Sequence, residues 1–245
     1  MAVELTVLGC SGSFGAPAGG ACSGYLVRTT NATLWLDCGN GTLVNLQRHA
    51  AVDDVTAVVV THWHPDHCVD LYGLHVFLKY GLERQGLPVY APEGTEGRLG
   101  TLVDGDWGGV FAWTTVGDGD AVTVADCGLR FSRTAHPPPT MAVEINGDGK
   151  RLVYTADTGP DWSVEAFAPG ADLVLSEATF QEPERGSGIH LTARLAGEAA
   201  QAAGARRLML THLWPGLDPT ASVVEGSEAF GREVLLAAPH QRTRI

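Results

Sequence analysis

The sequence predicts an α/β fold in which two sheets pack face to face and helices cover their outer faces. Short apolar runs typical of strands alternate with stretches of helical periodicity along the 245 residues. This order occurs in two halves, and in each half histidines and aspartates follow the strands. No linker and no internal repeat is visible, so residues 1–245 are expected to form a single domain.

The first half contains six predicted strands and three predicted helices. Residues 3–8 alternate between apolar and polar side chains, as a half-buried strand does. Residues 55–60 form an apolar run that predicts a buried strand, and residues 69–78 carry an apolar face at helical spacing. The other predicted strands are 23–28, 33–37, 87–91 and 110–115, and the other helices are 43–49 and 93–103.

The second half repeats the alternation. Asn146-Gly147-Asp148-Gly149 predicts the turn of a hairpin, and Asp218 followed by Pro219 predicts the start of the last helix. Polar loops are expected at 104–109 and 181–189. The predicted strands are 121–124, 129–132, 141–145, 151–154, 171–176, 207–210 and 234–237, of which the last closes the chain, and the helices are 193–203 and 219–231.

The composition argues against several classes of function. A net charge of −12 disfavours a broad phosphate-binding surface, so no long nucleic acid is expected as a partner. The sequence shows no signal segment and no long apolar span, which predicts no association with a membrane. Five cysteines without CxxC spacing predict free thiols and a reducing, cytoplasmic location.

Three of the nine histidines fall within six residues, in the segment Thr-His-Trp-His-Pro-Asp-His-Cys at 61–68. His62 and His64 are two residues apart, so in an extended segment they point to the same side. Asp66 and His67 follow where the chain turns and can face a second ion. Imidazole and carboxylate are ligands that zinc and similar ions prefer. The alternative is a solvated loop that happens to hold three histidines.

The pattern His-x-His-x-Asp-His after an apolar strand resembles the metallo-β-lactamase-fold hydrolases, which are four-layer αββα sandwiches with one or two metal ions. The resemblance implies two divalent ions, with zinc as the expected metal and manganese or iron also suited to such ligands. The implied ligands are His62, His64 and His136 for the first ion, Asp66, His67 and His212 for the second, and Asp157 as the bridge. The alternative for Asp157 is an ordinary turn aspartate.

Three further segments resemble the ribonuclease Z-like branch of that family: residues 36–42, Glu177-Ala178-Thr179 and His190-Leu191-Thr192. In that branch the last two form a proton relay beside the metals. The resemblance therefore implies Asp66, His190 and Glu177 as catalytic residues, with His190 as the proton donor. A histidine that caps or packs a helix end is the alternative for His190.

Asp37 lies in the segment that supports the histidine loop in the resembled family. Metal-bound imidazoles usually donate to an outer acceptor, and Asp37 is a candidate for that role. A turn or N-cap aspartate is an equally open alternative.

This branch points to phosphodiester hydrolysis by a hydroxide held between the two ions. Ribonuclease Z inserts a long tRNA-binding arm between its third histidine and its bridging aspartate, whereas here Asp157 follows His136 by only 21 residues. The basic residue and Arg-Asn pair of its N-terminal loop are absent from residues 15–24, and its Arg-Tyr after the last ligand is replaced by Leu213-Trp214.

A small anionic phosphodiester is therefore the expected substrate, and the chain resembles bacterial members of the fold that hydrolyse cyclic nucleotides such as cyclic AMP. The alternatives are a ribonuclease Z-like endonuclease or short-oligonucleotide nuclease, a lactone or thioester hydrolase, and a non-catalytic metal-binding protein. A homodimer is compatible with the resemblance. The candidates to line a substrate pocket are His75, Tyr80, Trp107, Trp113 and Trp214, for which packing in the core or at its rim is the alternative.

Overall fold

The structure is a computed structural model that describes residues 3–17, 19–103, 107–182 and 188–245. Within these residues the strands form two sheets of seven strands each. The predicted loops at 104–109 and 181–189 lie partly outside the described residues.

The first sheet has the order β14-β1-β2-β3-β4-β5-β6. Its strands are β1 (Glu4–Gly9), β2 (Gly24–Arg28), β3 (Thr33–Leu36), β4 (Ala57–Val59), β5 (Leu87–Ala91), β6 (Phe111–Thr115) and β14 (Arg242–Arg244). The pairs from β14 to β3 are antiparallel, and those from β3 to β6 are parallel.

The second sheet has the order β13-β12-β11-β10-β9-β8-β7. Its strands are β7 (Ala121–Val124), β8 (Cys127–Arg133), β9 (Met141–Gly147), β10 (Lys150–Tyr154), β11 (Leu173–Glu177), β12 (Leu208–Thr211) and β13 (Leu235–Leu236). Here β7 to β10 pair antiparallel and β10 to β13 pair parallel. Each sheet thus combines an antiparallel and a parallel part.

Helices connect the parallel strands. They are α1 (Thr42–Leu46), α2 (Pro65–Cys68), α3 (Asp70–Val76), α4 (Thr95–Gly100), α5 (Val164–Phe167), α6 (Ala193–Ala202) and α7 (Pro219–Phe230). A π-helical segment, Phe77–Leu82, extends α3, and 3-10 turns occur at Val52–Asp54 and Thr101–Val103. The Asp218 side chain accepts a hydrogen bond from the Thr220 amide and caps α7, as predicted.

The apolar side chains form three layers of core. Within β4, Ala57 and Val59 belong to the core between the two sheets, whereas Val58 belongs to the core under α1, α3 and α4. A third core joins the second sheet to α5, α6 and α7. Two sheets between two layers of helices make the predicted four-layer αββα metallo-β-lactamase sandwich, so the fold class is confirmed.

Three details differ from the predictions. Strand β1 is buried on both faces instead of one, because Leu5 and Val7 face the other sheet while Leu8 packs on the helix side. Helix α5 was not predicted. Residues 234–237 contain a strand but do not close the chain, since β14 follows and pairs with β1.

Within the described residues, no helix combines the length and the apolar character needed to cross a bilayer.

Candidate metal centre

The site lies where parallel strands of both sheets end. Asp37 follows β3, His62 follows β4, Asp157 follows β10, and His212 follows β12. The carboxyl ends of parallel strands meet at one edge of a sheet, and the two sheets face each other. Side chains distant along the chain are therefore brought together at one end of the sandwich.

The histidine segment has the predicted shape of an extended stretch followed by a turn. His64 has extended backbone angles and is the N-cap residue of α2, and Pro65 occupies the first turn of that helix. Asp66 and His67 lie within α2, and the His67 amide donates to the His64 carbonyl. Asp66 and His67 thus lie on a helical turn that directly follows the extended residues, and the His67 ring lies 4.2 Å from that of His62, centroid to centroid.

The first set of ligand atoms consists of His62 Nε2, His64 Nδ1 and His136 Nε2. His64 Nδ1 lies 3.0 Å from His62 Nε2 and 3.4 Å from His136 Nε2. Nitrogen atoms bound at 2.0–2.1 Å on a tetrahedron are about 3.3 Å apart, so this spacing fits one metal ion. Asp157 Oδ2 lies 3.7 Å from His62 Nε2 and 3.9 Å from His136 Nε2.

The second set consists of Asp66 Oδ2, His67 Nε2 and His212 Nε2. His212 Nε2 lies 3.4 Å from His67 Nε2 and 3.3 Å from Asp66 Oδ2. Asp157 Oδ1 lies 3.4 Å from His67 Nε2 and 3.6 Å from His212 Nε2. Each carboxylate oxygen of Asp157 therefore faces a different set, and the structure brings all seven predicted ligands together.

The Asp157 carboxylate also shows that a cation fits this site. Its Oδ1 atom is buried, and among the described residues it has no hydrogen-bond partner. A buried carboxylate oxygen without a partner costs free energy, which a bound cation would recover. The seven side chains carry only imidazole and carboxylate groups, which suit a divalent metal ion.

Outer acceptors orient three of the imidazoles. His67 Nδ1 donates to Asp37 Oδ2 at 2.7 Å, and His136 Nδ1 donates to the Ile189 carbonyl at 2.9 Å. His212 Nδ1 lies 2.9 Å from the Thr179 hydroxyl oxygen. In the neutral form with the proton on Nδ1, each ring would offer its Nε2 lone pair to a metal ion.

Asp37 is held by four donors. The amide and hydroxyl of Thr61 donate to it at 2.8 and 2.9 Å, and the Tyr154 hydroxyl donates at 2.8 Å, in addition to His67. Asp37 has a positive φ of 54°, and it caps no helix, because the N-cap of α1 is Gly41. Of the two alternatives for Asp37, the geometry supports the outer acceptor.

Glu177 is buried and joins the predicted proton donor to the metal ligands. Its Oε1 lies 3.0 Å from His190 Nδ1 and accepts from the Thr158 amide at 2.7 Å. Its Oε2 accepts from the Thr179 hydroxyl at 2.6 Å. The Thr179 hydroxyl has one proton, which it donates to Glu177, so it accepts the hydrogen bond from His212 Nδ1. Thr179 thus connects the partner of the predicted proton donor to a predicted metal ligand.

His190 lies beside the ligands. Its ring centroid is 4.9 Å from that of His136 and 5.7 Å from that of His212. The N-cap of α6 is Thr192, so His190 does not cap that helix. One potential ligand atom of His190 lies close to one of Asp157 and one of His212, both of which are predicted ligands. His190 therefore borders the metal centre.

Burial and charge set the protonation of these groups. Burial lowers the pKa of His62, His64 and His136, which favours the neutral, metal-binding form. Burial alone would raise the pKa of Asp157, but the charges of His212 and His67 outweigh it and hold that pKa well below its usual range.

The pKa shifts of His67 and His190 go in the opposite direction. Burial opposes the charged form of His67, but the carboxylates of Asp157, Asp37 and Asp66 raise its pKa well above the usual value. Burial likewise opposes the charge on His190, and its hydrogen bond to Glu177 with that carboxylate's charge raises its pKa. His190 is therefore suited to carry a proton.

Of the five candidates for a pocket lining, only Trp214 has ring contacts near this centre. His75 and Trp107 are buried, and His75 Nε2 donates to the Trp107 carbonyl. Trp113 packs against the core under the first sheet, and Tyr80 lies on the exposed surface of Phe77–Leu82. Packing is thus the role of His75, Trp107 and Trp113. Two aromatic residues beside the centre, Phe14 and Phe180, were not among the candidates.

Comparison with known proteins places this geometry in a family. A model of the β-lactamase superfamily domain matches residues 33–213. The chain belongs to the β-lactamase superfamily. A protein of Mycobacterium leprae described as uncharacterized is 38% identical over 243 residues, which cover 93% of this chain and 84% of that protein.

Two other members of the superfamily indicate the branch. The probable metallo-hydrolase YhfI of Bacillus subtilis is 31% identical over 216 residues, covering 86% of this chain and 87% of YhfI. A crystal structure of YhfI matches with a TM-score of 0.90 at 28% identity, covering 99% of both chains. Ribonuclease Z of Haloarcula marismortui is 28% identical over 305 residues, covering 100% of this chain and 97% of that enzyme.

These similarities confirm the predicted membership of the ribonuclease Z-like branch of the metallo-β-lactamase fold. They also confirm the prediction of a metal-dependent hydrolase. The His/Asp cluster described above supplies the side chains that such an enzyme needs to bind a divalent metal.

Proposed function

We propose that the protein is a phosphodiesterase with two divalent metal ions and that it hydrolyses a small phosphodiester such as cyclic AMP. The observation that carries this proposal is the Asp157 carboxylate, whose two oxygens face two separate sets of ligand atoms. A carboxylate in this position is suited to bridge a pair of ions, and paired ions suit the displacement of a group at phosphorus.

The first ion would be held by His62, His64 and His136, and the second by Asp66, His67 and His212, with Asp157 shared. Zinc suits the nitrogen-rich ligands and their tetrahedral spacing, and manganese or iron would also bind them. When bound, the ions would lower the pKa of coordinated water toward neutrality and stabilise negative charge on the phosphoryl oxygens.

The proton for the leaving oxygen would come from His190. Glu177 accepts a hydrogen bond from its Nδ1 atom, which fixes the ring beside His136 and His212. The hydrogen bond to Glu177 and the charge of that carboxylate raise the pKa of His190, which favours the protonated imidazole that would give its proton to the departing alkoxide. Glu177 is the positioning partner in this scheme, and Asp66 acts as a ligand next to the reacting group.

Two observations support a small substrate. The interval between His136 and Asp157 contains only a loop and the hairpin of β9 and β10, with no inserted arm. The net charge of −12 opposes the approach of a long polyanion. A small phosphodiester would interact mainly with the positive charge of the bound metal ions.

A ribonuclease Z-like nuclease is the second candidate. It is favoured by the similarity to Ribonuclease Z along the whole chain and by the pairing of His190 with the buried Glu177. Assaying one metal-loaded preparation against cyclic AMP, bis-p-nitrophenyl phosphate, a precursor transfer RNA and a lactone separates the candidates. We expect hydrolysis of the first two substrates and its loss on chelation. Turnover of the transfer RNA or the lactone in preference to both would overturn the proposal.

We also propose a cytoplasmic location. All five cysteines are buried free thiols, as expected for a protein that folds in a reducing compartment. The compatibility with a homodimer stays a prediction, to be checked by sedimentation of the purified protein.

A further inference from the structure

Three aromatic side chains lead from the metal centre toward solvent. The Phe180 ring lies 5.9 Å from the His190 ring and 6.1 Å from the Trp214 ring, and the interplanar angle with Trp214 is 29°. The Phe14 ring meets Trp214 edge-on at 5.6 Å. We call Phe14, Phe180 and Trp214 the aromatic row.

The backbone ties Phe180 and Trp214 to the ligand His212. Phe180 directly follows Thr179, whose hydroxyl contacts His212 Nδ1. Trp214 comes two residues after His212, and its amide donates to the Thr179 carbonyl at 3.0 Å. The two rings are therefore held at a defined position relative to the metal centre.

The loop that carries Phe14 also packs directly on His212. The amide nitrogen of Ser13 lies 3.4 Å from His212 Nε2. A Cβ atom at Gly12 would come within 2.5 Å of the His212 carbonyl oxygen, so only glycine allows this close approach. This loop brings the Phe14 ring into contact with Trp214.

The surface around the aromatic row carries exposed apolar side chains. Phe14 is 48% exposed and Trp214 is 40% exposed. Ile189 is 41% exposed, and its carbonyl accepts the hydrogen bond from His136. Three large apolar side chains thus remain in contact with water next to a strongly polar centre. Such an arrangement suits a ligand with one anionic part and one flat apolar part.

We propose that the aromatic row binds the base of a nucleotide substrate by stacking, while the metal centre holds its phosphodiester. This inference rests on the proposed function and assigns Trp214 as the main residue that binds the base. Trp214 combines the largest ring with exposure to solvent, and stacking on aromatic rings requires no hydrogen bonds to the base edge.

The test compares Trp214→Ala with Trp214→Phe in metal-loaded protein. The matched control is Tyr80→Ala, because Tyr80 is an aromatic residue that is 72% exposed on the outer helical layer. Each variant is assayed with cyclic AMP and with ribose 3′,5′-cyclic phosphate, which lacks a base. Metal content and thermal unfolding show whether each variant keeps its fold and its centre.

Stacking on one aromatic ring predicts a KM for cyclic AMP that is roughly 5- to 100-fold higher in Trp214→Ala. The kcat and the kinetics with the base-free substrate should stay within about twofold of the unmodified protein, and Trp214→Phe should recover most of the loss. Equal effects of Trp214→Ala on both substrates, or no effect on either, would overturn the assignment.

A separate binding measurement distinguishes this inference from the proposed function. If the unmodified protein hydrolyses neither substrate, the proposed function is wrong, and calorimetric titration with AMP then decides the role of the aromatic row. Weaker AMP binding in Trp214→Ala but not in Tyr80→Ala supports the row as a base-binding surface. Equal binding by the three proteins, or no binding, overturns it.

Discussion

Replacing Asp37 with asparagine tests whether the outer shell of the centre controls metal affinity. Asparagine keeps the size of the side chain and tolerates the positive φ of 54° at this position. It removes the negative charge and exchanges one acceptor oxygen for an NH₂ group. Both carboxylate oxygens of Asp37 accept hydrogen bonds, so in either orientation the new NH₂ group of the asparagine would face at least one group that donates to Asp37.

The magnitude follows from the hydrogen bonds that change. The bond from His67 Nδ1 to Asp37 is 2.7 Å long and buried, and hydrogen bonds to charged groups contribute about 1.5–3 kcal/mol. We expect Asp37→Asn to lower the free energy of unfolding by about 2–3 kcal/mol. Loss of an outer partner of a ligating histidine should weaken metal binding by roughly 10- to 100-fold.

Tyr154→Phe is the control, since it removes one of the four donors to Asp37 and leaves the His67 contact intact. It should lower the free energy of unfolding by about 1–2 kcal/mol and change metal affinity only slightly. Competition with a chromophoric chelator measures metal affinity, and urea unfolding of the metal-free protein measures stability. Unchanged metal affinity in Asp37→Asn, or an equal loss of metal affinity in both variants, would refute this reasoning.

The remaining predictions concern the centre and the fold. His190→Ala should lower turnover by roughly 100-fold or more while metal content stays unchanged; full turnover would remove His190 from the proton-donor role. Asp157→Asn should lower the metal content below the roughly two ions per chain expected of the unmodified protein, and metal analysis showing full occupancy would contradict the bridging role. In the metal-free protein, the raised pKa of His67 means that the charged ring stabilises the fold below that pKa and that this contribution is lost as the pH rises through it. Because the charged ring must lose a proton before its Nε2 can bind a metal ion, we expect metal binding to release a proton from His67 and to weaken as the pH falls, and calorimetry in buffers of different ionisation enthalpy would detect that proton or its absence. Since one core joins the two sheets, heating the metal-free protein should give one unfolding transition, and two separate transitions would contradict a single domain.

Elements with a strong local pattern were predictable from the sequence. Five of the residues 55–60 are apolar, and Asp218 with Pro219 marks a helix start, so β4 and α7 were both expected. Strand β14 has no such pattern, because its three residues include two exposed arginines, and only pairing with β1 makes it a strand. The four residues of α5 are likewise too few for helical periodicity to appear.

The same distinction applies to the site. His62, His64 and His67 lie so close in sequence that their spacing alone suggested a metal site. His136 and His212 could be assigned only through resemblance to a family, because nothing in their local sequence requires them to meet.

The outer contacts were harder still to foresee. Tyr154 reaches Asp37 across 117 residues of chain, and the Thr179 hydroxyl contacts both Glu177 and His212. Such hydrogen bonds depend on how the two sheets pack, and no short sequence pattern encodes that packing.

The pairing of β14 with β1 matters for the solubility of the protein. Five of the six residues in β1 are buried, and β14 occupies the edge that β1 would otherwise present to solvent. Trimming Arg242–Arg244 would leave the amides and carbonyls along that edge of β1 open to strands of other molecules. The exposed residues Arg242 and Arg244 therefore belong to a strand that keeps the edge of β1 from pairing with other molecules.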